Sequence, residues 1–163
     1  MTGNNAIYGT IVIHPHLLQF VIDELLLIVM TLAGFFCAGL EETTCTSLLL
    51  SICCICTVIL MYRFIYLHRM EYRVSNEQLI FEHGVFCRSS DYIELYRVVD
   101  FREHRSFFQQ LSGLKTVSIY SGDRTTPRLD IKGVKDDINL VAHIRERVEY
   151  NKRRKGIYEI TNR

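Results

Sequence analysis

Leu25–Leu40 (LLLIVMTLAGFFCAGL) and Thr43–Tyr62 (TTCTSLLLSICCICTVILMY) carry no charged side chain over sixteen and twenty residues, and only Glu41-Glu42 lies between them. A helix rises about 1.5 Å per residue, so twenty residues cover about 30 Å, the thickness of a bilayer's hydrocarbon core. Two such stretches joined by so short a turn read as a transmembrane helical hairpin over residues 17–67. The remaining chain divides into an N-terminal segment 1–16, a domain over 70–155 and a tail 156–163.

Charge gives the hairpin a direction. Residues 1–62 contain no Lys or Arg and four acids, Asp23, Glu24, Glu41 and Glu42. All nineteen Lys and Arg fall in residues 63–163, against fourteen acids, a net of +5. Basic residues close to a membrane segment stay on the cytoplasmic side. Arg63, Arg69 and Arg73 follow the second stretch directly, so both termini are expected in the cytoplasm and the acidic turn outside. A net of +5 over so long a stretch is too small to point to nucleic acid. Of six cysteines, Cys37, Cys53, Cys54 and Cys56 lie inside the apolar stretches, Cys45 beside the turn and Cys87 in the domain. One cysteine in a cytoplasmic domain makes no disulfide of its own. No basic region precedes the first apolar stretch, so it does not read as a signal peptide.

Several residues in the first half need a reason to be there. Met1–Gly9 is polar and rich in Gly and Asn, the composition of a frayed end. Thr10–Ile13 is either an extended strand or a lead-in, and His14-Pro15-His16 places a proline where a helix starts. The two histidines read as polar interface residues or, less simply, as metal ligands. Asp23 and Glu24 sit near the cytoplasmic end of the first helix. They lie either at headgroup depth facing Arg63 or form an intramembrane proton or cation site. Gly34 and Ala38 are a pair of small residues one turn apart, which lets a neighbouring helix approach, whether the second span or another copy of the chain. Cys53 and Cys56 are formally CxxC, but cysteine also serves as a small apolar residue.

From Met70 the period changes to two. Tyr72–Val74, Gln78–Glu82, Val85–Arg88, Tyr92–Leu95, Arg97–Arg105, Lys115–Tyr120 and Arg128–Ile131 read as short strands separated by turn residues. Ser106–Leu111 interrupts them as a brief helical turn. Asp137–Lys152 follows as a helix with Ile138, Val141, Ile144 and Val148 on one face. Asp136 and Asp137 at its start and Lys152-Arg153-Arg154-Lys155 at its end suit the helix dipole. The fold class is therefore α+β: a two-helix hairpin, then an antiparallel sheet structure closed by an amphipathic C-terminal helix, the outline of a pleckstrin-homology-like (PH-like) barrel or sandwich.

Several segments match one family pattern in order and spacing. They are Tyr72-Arg73-Val74-Ser75, Gly84, Ile93-Glu94-Leu95-Tyr96-Arg97-Val98 and Leu111-Ser112-Gly113-Leu114-Lys115-Thr116-Val117, with His14-Pro15-His16 ahead of the first span. In this the chain resembles bacterial membrane proteins with a PH-like domain, of the YdbS type. The resemblance covers about residues 10–150 and implies a fold and a location, with no catalytic residues to carry over. Phosphoinositide-binding PH domains use basic residues around their first strand–strand turn, where this chain has Glu82-His83-Gly84.

The expected function is that of an integral protein of the bacterial cytoplasmic membrane presenting a PH-like domain as a protein-interaction or scaffolding module. Its partners would be the lipid bilayer, a membrane or cytoplasmic protein, and a second copy of itself in a homo-oligomer. The alternative is a sensor of anionic lipids, with Arg63, Arg69, Lys152, Arg153, Arg154 and Lys155 as headgroup contacts. Catalysis would have to use Asp23 and Glu24, or His104 beside Glu103. No nucleophile–base pair, metal-ligand set or glycine-rich phosphate loop accompanies them, so no catalytic, cofactor or metal site is expected.

Overall fold

The structure, a computed structural model, describes residues 8–40 and 44–157. The expected frayed end up to residue 7, the acidic turn Glu41-Glu42 and the tail beyond 157 lie outside the described residues. The chain runs β1 (Ile11–Ile13), α1 (Leu17–Leu40), α2 (Thr44–Arg69), β2 (Glu71–Val74), β3 (Gln78–His83), β4 (Ser89–Glu94), β5 (Val98–His104), α3 (Phe107–Leu111), β6 (Leu114–Ser121), β7 (Arg128–Lys135) and α4 (Leu140–Arg154). A single 3-10 turn, Leu95–Arg97, joins β4 to β5.

The strands form two antiparallel sheets, β1-β2-β3-β4 and β5-β6-β7. Thr10–Ile13 resolves as a strand: Ile11 lies opposite Val74 and Ile13 opposite Tyr72, so the segment before the hairpin joins the sheet after it. Alternation sets what is buried. Tyr72, Val74, Leu79, Ile93 and Leu95 from the first sheet meet Val117, Ile119, Ile131 and Val134 from the second, and Leu140, Ile144 and Val148 of α4 close the same core. Each full burial of such a side chain contributes about 1.5–3 kcal/mol.

α1 and α2 are both long and apolar enough to cross a membrane. They run antiparallel: Phe20 packs edge-on against Phe64, Glu24 bonds Arg63, and Gly34 faces Cys53. A Cβ at Gly34 would stand 2.5 Å from the Cys53 sulfur. The small residue therefore serves the approach of α2, and Cys53 is the buried apolar filler opposite it.

Two local expectations are corrected. Val85–Arg88 is a bend and not a strand. Gly84 takes φ 114°, where a Cβ would collide with the Cys87 carbonyl, and the chain turns tightly there before β4 starts at Ser89. At the last helix, α4 begins at Leu140, after Asp136 and Asp137. Asp136 instead pairs with Arg105 at 2.6 Å. Ile138 is exposed, and the buried face of α4 is Leu140, Ile144, Arg147, Val148 and Asn151.

Candidate functional site

The hairpin is built into the domain at its base. His16 N–H donates to the Gly133 carbonyl on β7 at 3.0 Å, and the His16 ring Nδ1 accepts the first-turn N–H of Leu18 at 3.2 Å, capping α1. Gly133 holds φ 66°, and a Cβ there would lie 2.9 Å from the Gln19 Cβ and 3.0 Å from the His16 nitrogen. His14 Nδ1 reaches the Met70 carbonyl at 3.3 Å, tying the lead-in to the end of α2. Both histidines thus bind backbone.

A polar chain continues inward. Buried Gln19 donates to Asp23 at 2.7 Å and accepts from Gln109 of α3 at 2.9 Å. Gln109 also donates to Thr116 of β6 at 2.8 Å and is fixed by a reciprocal cap with Ser106. Asp23 and Glu24 therefore serve different partners: Asp23 continues this α1–α3–β6 chain, and Glu24 bonds Arg63 of α2.

Between the base of the hairpin and the sheets lies an open cavity of about 580 Å³. Its apolar walls are Phe20, Tyr62, Tyr66, Leu67, Met70, Tyr72, Phe81 and Leu129, and its charged rim is Asp23, Glu24, Arg63, Asp130 and Lys132. Burial pushes the Tyr72 phenol well above its ordinary value, and its hydroxyl donates to the Asp130 carbonyl at 3.1 Å. Burial works against the Asp130 carboxylate, but hydrogen bonds from Ser118 at 2.6 Å and Arg128 at 2.8 Å outweigh it and hold its pKa below the usual value. Such a recess takes an apolar or amphipathic group. His83 sits beside it, its ring stacked on Phe81 at 4.6 Å and edge-on to Tyr66, with Nδ1 buried 3.9 Å from Asp91.

The second recess, about 300 Å³, lies between β5 and α4 and includes Val98, Val99, Phe101, Arg145, Val148 and Ile157. Among the described residues β5 is an edge strand, paired with β6 alone. Its bulge leaves Val99 out of register and 68% exposed, and the Phe101 N–H is taken up by the Asp100 side chain at 2.7 Å. The Arg145 guanidinium lies over the Phe101 ring, 5.8 Å from its centroid.

The six basic residues singled out from the sequence are not brought together. Arg63 is paired at the hairpin base, and Arg69 ends α2 exposed. The Lys152–Lys155 run lies at the end of the domain away from the hairpin, where Lys152 and Arg153 line the β5–α4 recess and Arg154 stands beside the β2–β3 turn. There Arg154 bonds Glu77 at 2.6 Å, Lys155 bonds Glu94 at 3.2 Å, and Arg153 reaches Glu149 at 3.9 Å. Lys155 also lies over the Tyr96 ring at 3.6 Å.

Sequence reasoning missed Gly133, the Gln19–Gln109 pair and Arg147. Arg147 is buried and donates to the carbonyls of Val74 at 2.6 Å, Ser75 at 3.2 Å and Gly9 at 2.7 Å, and burial lowers its pKa. Its spacing, three residues after Ile144, would have placed it on the buried face.

No curated protein and no solved structure matches the chain. One family model does, the Bacterial PH domain, over residues 24–148. That match takes in α1 from Glu24 on, all of α2, both sheets apart from β1, and most of α4. The segments that suggested the resemblance fall within this span in the expected order, except the His14-Pro15-His16 lead-in, and with the fold described above they give the assignment: the chain belongs to the bacterial PH domain family.

Proposed function

We propose that this is an integral protein of the bacterial cytoplasmic membrane. In this reading α1 and α2 form a transmembrane hairpin with both termini in the cytoplasm, and the PH-like domain, its two sheets arranged as a barrel or sandwich, works at the hairpin's base. Its role is to bind a protein partner without catalysis. The observation that carries this is the β5–α4 recess: an edge strand with an exposed Val99 runs beside a groove that joins apolar Phe101, Val148 and Ile157 to a charged rim of Asp100, Glu149, Arg145, Lys152 and Arg153. Edge strands bind extended peptides through main-chain hydrogen bonds, with neighbouring pockets reading alternate side chains. The lipid-sensor alternative has less support, because Arg153, Arg154 and Lys155 already have carboxylate partners at the end of the sheet away from the hairpin.

Photo-crosslinking in native membranes tests the binding role. Reactive residues at Val99 and at Arg145 should trap the same segment of one partner, and a reactive residue at Arg128, on the opposite edge strand β7, should not. Self-crosslinks alone, or equal capture from all three positions, would overturn the reading.

A further inference from the structure

We propose that the domain rests on the bilayer through two apolar feet, one beside each helix of the hairpin: Phe86 in the β3–β4 bend, and Phe107, Phe108 and Leu111 on α3. The inference builds on the transmembrane reading of the hairpin and adds a second, shallower membrane contact. These are among the most exposed apolar side chains outside the hairpin: Phe86 is 90% exposed, Leu111 80% and Phe107 75%. The two feet stand within about one and a half helical turns of each other in depth along the hairpin. Phe86 stacks on Tyr62 of α2, with ring centroids 6.4 Å apart and planes 16° apart. Tyr62 is next to Arg63, which bonds Glu24, so Phe86 lies level with the charged pair. α3 is held by the Gln109–Gln19 bond, and Gln19 precedes Glu24 by five residues, about 7 Å along the helix.

If Glu24 and Arg63 mark the border of the hydrocarbon, both feet fall in the interfacial layer, where apolar faces insert about 5–10 Å deep. Leu17, Leu18 and Val21, on the turn of α1 around Gln19, add exposed apolar surface at the same level. Gln109 turns the polar side of α3 toward Gln19 and Thr116, which leaves its phenylalanines and Leu111 facing outward. The bilayer is the occupant because each foot is tied to a helix of the proposed transmembrane hairpin, Phe86 to Tyr62 of α2 and α3 to Gln19 of α1. Exposed Arg88 beside Phe86 adds a cation suited to the headgroup layer.

The chain contains no tryptophan, so single substitutions to Trp report depth by fluorescence. The full-length variants Phe86→Trp, Phe107→Trp, Leu32→Trp and Val99→Trp would be reconstituted into two sets of phosphatidylcholine vesicles, brominated near the headgroup end or near the methyl end of one acyl chain, the second set reading Leu32→Trp at the bilayer centre. The feet predict blue-shifted emission and at least about twofold quenching by bromine for Phe86→Trp and Phe107→Trp, as for interfacial residues. Val99→Trp should instead be quenched by aqueous iodide. Leu32→Trp separates the two claims. Quenching there without quenching at Phe86→Trp and Phe107→Trp overturns the feet alone, and no quenching at Leu32→Trp overturns the hairpin reading on which they rest. Protection of both feet from bromine and from iodide, the pattern of a second copy or another protein covering them, also overturns the inference.

Discussion

The two halves of the molecule pack in opposite senses. In the domain, apolar residues turn inward until nothing of Val74, Leu79, Ile93, Val117, Ile119, Ile131 or Ile144 is exposed. In the hairpin, Leu26, Met30, Leu32, Phe36, Leu48, Ile55, Val58 and Met61 all turn outward, and the buried positions of the helices include Gln19, Thr31 and Cys53. Apolar surface avoids water but loses nothing against lipid. On the proposed transmembrane reading the same side-chain types are sorted by two different solvents, and the closest approach of α1 and α2 is left to small residues at Gly34 and Cys53. The base of the hairpin, from His16 to Asp23 on α1 and around Gly133 on β7, is where one rule gives way to the other.

The strongest way to break this contrast is inside the domain. Arg147→Ala leaves the carbonyls of Val74, Ser75 and Gly9 without their charged donor, and should lower stability by about 3 kcal/mol. Chemical denaturation of the full-length protein in detergent micelles measures it, and a loss under about 1 kcal/mol would mean that these bonds are not structural. Gly133→Ala acts at the junction. Its Cβ meets the Gln19 Cβ at 2.9 Å with φ at 66°, so about 2 kcal/mol should be lost from strain and displacement of α1. Limited proteolysis should then cut between β1 and α1 faster than in the parent.

A pH titration sharpens the domain side. Because Asp130 has a folded pKa below its ordinary value, the native state holds fewer protons than the unfolded state across the acid range. Its contribution is complete above the ordinary carboxylate range and is lost as pH falls through that range toward the lower folded value. Asp130→Asn should flatten the acid side of the stability profile, and an unchanged slope would contradict the assigned bonds from Ser118 and Arg128. The smallest effect belongs to the outward face of the hairpin. Leu26→Ala removes a large apolar side chain that is 77% exposed, so micelle stability should shift by less than about 0.5 kcal/mol, against about 3 kcal/mol for Ile131→Ala in the domain core.

How much of this could be read beforehand follows the same division. The uncharged runs announced α1 and α2, and the period of two announced most strands, because burial on one face is written directly into alternation. The facing of Glu24 and Arg63 was also legible from their positions near the helix ends farthest from the Glu41-Glu42 turn. Val85–Arg88 was misread because Val85, Phe86 and Cys87 look like a short apolar strand, when Gly84 turns them into a bend whose phenylalanine faces out. Residues that act across long sequence separations stayed hidden. Gln19 meets Gln109 ninety residues away, Gly133 is fitted to His16, and Arg147 reaches carbonyls on two distant segments. Local pattern holds no trace of a partner that only the folded chain supplies.

The central claim is that the hairpin crosses the membrane with the domain inside. Accessibility of two exposed cysteines, Cys45 at the start of α2 and Cys87 in the β3–β4 bend, tests it most directly. In single-cysteine versions of the full chain in intact cells, a membrane-impermeant maleimide should label Cys45 from outside and reach Cys87 only after the membrane is opened. Labelling of Cys87 in intact cells, or protection of Cys45 until lysis, would contradict it.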